Sequence, residues 1–191
     1  MKYQLIGSKT SPFVRRLRLL MGAIPHEFKE LLIYETEGAE HLKKINPINK
    51  VPVLVDKRSS PEKVIWDSRV IFNYLVKEEK LSPINLMEEN LLSAIDGALD
   101  SAVQLFLMKK NNVVIDAQNS FFKRHIERIP QVLDYLETQV PAQWQYPAMC
   151  LYSFLDWGQF REMLNYKNHK NLTSFMEKFS SMPMVFETRP L

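Results

Sequence analysis

A proline stands in the middle of an apolar run, Val51-Pro52-Val53-Leu54-Val55, that otherwise reads as a buried strand. Proline has no N–H to give to a ladder, so within sheets it is confined to edges, strand starts and bulges. Two conformations resolve the conflict. In one, the Val51–Pro52 bond is cis, an isomer almost restricted to X–Pro bonds. The N–H and C=O of Val51 then turn outward, where an extended peptide can pair with them. In the other, the run is an edge strand with a trans proline.

The residues around this run change period repeatedly. Lys2 to Ile6 has β character. Ser11-Pro12 follows, and Val14, Leu17, Leu20 and Met21 recur at helical spacing. Serine caps a helix well, and proline suits the first helical position because its missing N–H has no helical partner there. Gly22 is the expected end of that helix. Phe28 to Ile33 reads as a second strand. Gly38 to Ile45 reads as a short helix that stops before Pro47, as the pre-proline clash requires. After the third strand come a polar turn, Lys57 to Glu62, and a fourth strand, Lys63 to Trp66. From Ser68 a helix presents Val70, Ile71, Tyr74 and Leu75 on one face. This order defines a small α/β unit with a mixed sheet.

Residues 1–78 form the first expected domain and 79–86 a linker. Residues 87–191 carry no alternating pattern and read as all-α. Leu91, Leu92, Ile95, Leu99 and Val103 share a helical face. A second long helix is expected from about Asp116 to Gln139, with Pro130 kinking or splitting it. A third is expected to begin near Ser153.

Hydrophobic residues make up 46% of the 191 and charged residues 25%, which excludes disorder, collagen and a disulfide scaffold. The longest uninterrupted apolar run, Ala148 to Tyr152, falls far short of the roughly 20 residues of a membrane span. The stretch from Met1 to Gly7 is not a secretory signal. No membrane association is expected. A single cysteine, Cys150, forms no internal disulfide, fits a reducing cytoplasm and excludes chemistry needing two protein thiols. In its apolar setting it reads as a buried structural thiol. His26, His41, His125 and His169 lie far apart, so no metal site is expected. Residues 1–80 carry 15 Lys and Arg against 10 Asp and Glu, and residues 81–191 carry 10 against 12, so the net +3 divides into +5 and −2. That balance suits a small anion and is too weak to argue for nucleic acid.

Three motifs stand in order: Ser11-Pro12-Phe13-Val14-Arg15 after the first strand, Asn49-Lys50-Val51-Pro52-Val53-Leu54 at the third, and Trp66-Asp67-Ser68-Arg69 opening a helix. Together they resemble the cytosolic glutathione S-transferase family. Ser153-Phe154-Leu155-Asp156 looks like that family's helix-capping box, and the ending Met182 to Thr188 resembles its C-terminal segment. The resemblance implies a thioredoxin-like domain with a mixed four-stranded sheet followed by an all-helical domain. It also implies a cytoplasmic homodimer, glutathione as co-substrate, no metal, and a role in detoxification.

Glutathione transfer needs a thiolate, and a free thiol with a pKa near 8.5 is only a few per cent ionised at neutral pH. Lowering that pKa by about two units takes roughly 2.7 kcal/mol of preference for the anion. A donated hydroxyl supplies about 1.5–3 kcal/mol and a helix N-terminus roughly 0.3–1. The resemblance places Ser11 at the catalytic position before proline, where both effects meet. Ser8 and Thr10 are the competing hydroxyls, and Tyr3 lies too early in the first strand. Because Ser11 is not a cysteine, thiol transfer through a protein mixed disulfide is not expected there.

By the same resemblance, Asp67 and Ser68 hold the γ-glutamyl end, an ammonium on the carboxylate and a carboxylate at the helix start. Val51, through the geometry of Pro52, pairs with the cysteinyl residue. Lys50 meets the glycyl carboxylate and Phe13 flanks the sulfur. Arg15, Arg16 and Arg18 form a basic cluster that favours an anion or a partner subunit's acids, with a solvated face the simpler reading for Arg16 and Arg18. A small hydrophobic electrophile would lie between the domains, with Phe106, Met108, Phe121 and Phe122 as candidate contacts or plain core residues. The leading reading is a transferase. A non-catalytic interaction protein of the stringent starvation protein A kind shares the fold, and a glutathione-dependent disulfide reductase or peroxidase would use the same site.

Overall fold

The structure, a computed structural model, describes residues 1–190. Two compact units divide the chain. The first takes Met1–Pro83 together with residues 182–190, and the second takes Ile84–Ser181.

The first unit opens with β1 (Tyr3–Gly7), α1 (Pro12–Leu20) and β2 (His26–Glu30), a helical crossover that leaves β1 and β2 parallel. A 3-10 turn over Met21–Ala23 ends α1 around the expected Gly22. Next come α2 (Thr36–Ile45), β3 (Val53–Asp56), β4 (Lys63–Trp66) and α3 (Ser68–Glu79). The sheet order is β2-β1-β3-β4, with β3 antiparallel to both neighbours. The expected mixed four-stranded sheet is therefore present.

Side chains alternate across the sheet. Ile6, Val53 and Val55 face the buried Leu31 and Leu42, with Ile33, Ile45, Val51 and Val64 packed around them. Each such buried side chain contributes roughly 1.5–3 kcal/mol of transfer free energy. Val14, Leu17, Ile71 and Leu75, on α1 and α3, are also buried, and these two helices pack together.

Pro52 precedes β3 and takes no ladder position, and the Val51–Pro52 bond is cis. β3 runs between β1 and β4, so the edge-strand alternative is corrected. A second cis bond, Ser60–Pro61, lies in the β3–β4 turn.

The second unit contains four helices: α4 (Leu86–Lys110), α5 (Ser120–Glu137), α6 (Tyr146–Phe160) and α7 (Lys170–Phe179). Uninterrupted apolar runs are short, yet α4 as a whole is long and apolar enough, by length and composition alone, to cross a bilayer. Its face of Leu91, Leu92, Ile95, Ala98, Leu99, Ala102 and Leu105 is buried, and it packs against α5 and α6. Asn85 and Glu88 close a reciprocal capping box at its start.

Of the two outcomes expected at Pro130, the split does not occur: the residue lies inside α5. Three other expectations for this unit are corrected. α6 begins at Tyr146 with Pro147 in its first turn, not near Ser153. Ser153 is mid-helix and buried, and its hydroxyl donates to the Met149 carbonyl at 2.7 Å, so Ser153-x-x-Asp156 is no cap. Finally, residues 182–190, expected with the helical part, pack with the first unit.

Candidate functional site

The register fixes where the three motifs lie. Ile6 pairs with Val53, and Val53 pairs with Trp66. That row is one end of the sheet. The chain leaves it after Ile6 toward Ser8–Ser11, enters it from Lys50-Val51-Pro52, and leaves it after Trp66 into Asp67-Ser68. The motifs at residues 8–15, 49–54 and 66–69 therefore gather off one sheet end. Two strand spacings separate β1 from β4, about 10 Å.

The loop into α1 is built by close packing and hydrogen bonds. A side chain on Gly7 would run into Val14, whose Cγ1 lies 3.0 Å from the position of a Cβ. Only glycine lets the end of β1 sit directly against α1. The Gly7 carbonyl accepts from Leu31 N–H at 3.0 Å, and Lys9 Nζ pairs with Glu30 at 2.6 Å. Ser8 and Thr10 hydroxyls bond each other at 3.0 Å, and Ser11 N–H donates to the Ser8 carbonyl at 3.1 Å. Ser11 is the N-cap of α1. Its Oγ accepts from Val14 N–H at 3.3 Å, an interaction that leaves the hydroxyl proton free to be donated elsewhere.

On the second segment, Val51 is half-buried and lies outside both ladders. Lys50 is exposed, and its carbonyl accepts from Asn46 Nδ2 at 2.6 Å. On the third, Asp67 has φ 72° and caps α3, its Oδ1 accepting from Arg69 N–H at 2.8 Å and Val70 N–H at 3.4 Å. One carboxylate oxygen is thus engaged by the cap. Ser68 is buried at the first position of α3.

The basic cluster of α1 departs from expectation. Arg15 and Arg16 are 2% and 1% exposed, so a solvated face is wrong for Arg16. Its guanidinium lies over the half-buried Phe13 ring at 4.9 Å. Arg15 reaches the C-terminal segment, donating to Val185 C=O at 3.2 Å and Thr188 Oγ1 at 3.3 Å. Arg18 is part-buried, donates to Glu187 C=O at 3.1 Å and covers the Phe28 ring at 4.5 Å. Burial, and then the neighbouring Arg15 charge, lower its pKa below the ordinary value, opposed by Glu30.

In the helical unit Phe106 is half-buried and packs edge-on against the buried Trp157 at 5.7 Å. Met108 and Phe122 are half-buried and Phe121 is exposed, with its ring against Phe122 and His125. Cys150 is fully buried on α6. Among the described residues no group of three or more His, Cys, Asp or Glu is placed to hold a metal. Sequence reasoning missed Asn46. Its signal was an Asn just before Pro47, a residue type that bonds its own backbone in turns.

Fold and rim together define a thioredoxin-like domain with a helical partner. Residues 1–77 match the glutathione S-transferase N-terminal domain model. An uncharacterised GST-like protein of Escherichia coli K12, YibF, is 30% identical over 144 residues, which cover 70% of this chain and 68% of that protein. The chain belongs to the glutathione S-transferase family. Its fold is similar to that of a glutathione S-transferase from Methylobacterium radiotolerans in complex with glutathione sulfonate, at TM-score 0.82 and 18% identity over 100% of this chain and 95% of that one. It is equally similar to one from Methylobacillus flagellatus with bound glutathione, at TM-score 0.82 and 19% identity over 99% and 100%.

Proposed function

We propose that this protein binds glutathione extended along the sheet end and directs its thiolate at a small hydrophobic electrophile. The observation that carries this reading is the Ile6–Val53–Trp66 row, because it brings the three motifs to one rim. A rim about 10 Å wide matches an extended tripeptide at roughly 3.3–3.6 Å per residue. Relatives of this fold hold glutathione or its sulfonate.

In this reading the γ-glutamyl carboxylate sits at the start of α3, on Ser68, and its ammonium takes the Asp67 oxygen that does not cap. Val51 pairs its backbone with the cysteinyl residue, beside the cis Pro52. Lys50 meets the glycyl carboxylate. Ser11 donates to the sulfur at the N-terminus of α1, where its proton is not used by the cap. Phe13 flanks the sulfur. The protein supplies positioning and electrostatic stabilisation, and neither a metal nor a covalent protein adduct takes part. A homodimer in the cytoplasm completes the proposal.

The test is titration calorimetry with glutathione, followed by ultraviolet titration of the bound thiol in Ser11→Ala. We expect binding in both proteins, with the bound thiol pKa about 1–2 units higher in the variant, the equivalent of one hydrogen bond to an anion. No heat from the unmodified chain would remove the glutathione reading. An unchanged thiol pKa with binding intact would remove Ser11 from the chemistry.

A further inference from the structure

Asn46, the residue before Pro47, is completely buried, an uncommon place for an amide. Its polar groups are engaged. Its N–H donates to Leu42 C=O at 2.9 Å and closes α2, and its C=O accepts from Asn49 N–H at 3.0 Å. Its Oδ1 accepts from Ile48 N–H at 3.1 Å. Its Nδ2 donates to Lys50 C=O at 2.6 Å.

The first three bonds brace the end of α2 and the turn after it. The fourth reaches past that turn to the residue before Val51. The Lys50–Val51 peptide is trans, and a trans peptide is planar, with C=O and N–H pointing in opposite directions. Holding the Lys50 oxygen therefore fixes the direction of the Val51 N–H, away from Asn46. Val51 belongs to neither ladder.

We propose that Asn46 is a positioning residue for glutathione, aiming the Val51 N–H at the cysteinyl carbonyl of the tripeptide through its bond to the Lys50 carbonyl. The inference rests on the glutathione reading above. Asn46 touches no substrate in it. Its contribution is pre-organisation: a rim whose N–H is already aimed loses less freedom when the ligand arrives.

Asn46→Asp is the informative variant. It keeps an oxygen for Ile48 N–H and replaces the donor to Lys50 with a second acceptor. In calorimetry on the full chain, the Kd for glutathione is expected to rise about tenfold, as loss of one aligned hydrogen bond would give. In a conjugation assay, KM for glutathione should rise by the same factor with kcat within about twofold. The thiol pKa of bound glutathione should stay put, because Ser11 is untouched. A merely structural loss would lower kcat and affinity together.

Heat from the unmodified chain with an unchanged Kd in a folded Asn46→Asp protein overturns this inference alone. No heat from the unmodified chain removes the function reading and this inference with it. If Asn46→Asp does not fold, the unmodified protein still decides. Its Val51 amide proton resonance should move downfield on saturation with glutathione, and a resonance that stays in place overturns the assignment.

Discussion

The Nε of Arg15 donates to the Oγ1 of Thr188 at 3.3 Å across 173 positions of sequence. A second donor of the same guanidinium reaches Val185 C=O at 3.2 Å, and the Thr188 hydroxyl donates to Met184 C=O at 2.6 Å. Arg15 is 2% exposed and Thr188 is fully buried. The C-terminal segment is thus tied to α1, the helix whose first residue follows the Ser11 cap. Hydrogen bonds to a buried charge contribute about 1.5–3 kcal/mol, and in a chain of this size each kcal/mol is about 2–4 °C in Tm. Arg15→Ala should lower Tm by about 4–10 °C in a calorimetric scan. Thr188→Val should fall part of the way. A Tm within 1–2 °C of the parent in Arg15→Ala would show that the tie contributes little.

A second network sets the response to pH. Asp56 is 2% exposed and accepts from Arg58 on both oxygens, from Arg58 N–H at 3.0 Å and from the Tyr74 hydroxyl at 2.5 Å. The Arg58 side chain, against the opposing effect of burial and with help from Tyr74, holds this carboxyl well below the usual carboxylate range. A depressed folded value means a contribution present above about pH 4, the unfolded value, and lost as pH falls further. Burial and the Asp56 acceptor push Tyr74 up to about 12. That contribution is intact below about pH 10 and is lost as pH rises toward 12. Asp56→Asn should lower the unfolding free energy from urea titration at pH 7 by roughly 1.5–3 kcal/mol, and flatten the acid limb between about pH 4 and pH 2. An acid limb of parental steepness in the variant would place the titrating group elsewhere.

Asp67 combines a cap with the proposed ammonium contact, and two substitutions separate them. Asparagine keeps the capping oxygen on a side chain of the same shape, so the backbone at φ 72° is not asked to change. Asp67→Asn should therefore cost only the helix-end charge effect, about 0.3–1 kcal/mol, while the Kd for glutathione rises at least fivefold. Asp67→Ala removes the cap as well, a further cost of about 1 kcal/mol. Parental affinity in Asp67→Asn would leave Asp67 as a cap alone.

The parts of this fold that were legible in the sequence are those governed by local chemistry. Ser11-Pro12 at the start of α1, the stop before Pro47 and the Trp66-Asp67-Ser68 passage from strand to helix depend on residues a few positions apart. Ser153-x-x-Asp156 carried the same local signal and misled, because Pro147 opens the helix earlier and Ser153 bonds back to Met149 instead. The burial of Arg15 and Arg16 was illegible for a different reason. For Arg15 it depends on Val185 and Thr188, whose arrival no spacing within α1 announces. Asn46 falls between the two cases: its turn chemistry is local, but its importance rests on the bond to the Lys50 carbonyl and on the Val51 N–H beyond it.

Two helical glycines separate propensity from space. Alanine in place of a helix-interior glycine gains roughly 0.5–1 kcal/mol from backbone entropy, and that gain should be similar in α2 and α4. At Gly97, in α4, the nearest atom to an added Cβ is Arg128 Cδ at 3.9 Å, an ordinary contact. At Gly38, in α2, the added carbon would overlap the Leu32 carbonyl oxygen and lie 2.8 Å from the Leu32 carbonyl carbon. Backbone cannot swing aside as a side chain can, so overpacking of about 1–3 kcal/mol opposes the gain. Gly97→Ala should raise the urea midpoint and Gly38→Ala should lower it. Because Asn46 is the C-cap of α2, Gly38→Ala should also weaken glutathione binding, whereas Gly97→Ala should leave it unchanged. Midpoints that move in the same direction would mean that the approach of α2 to Leu32 is looser than its geometry indicates.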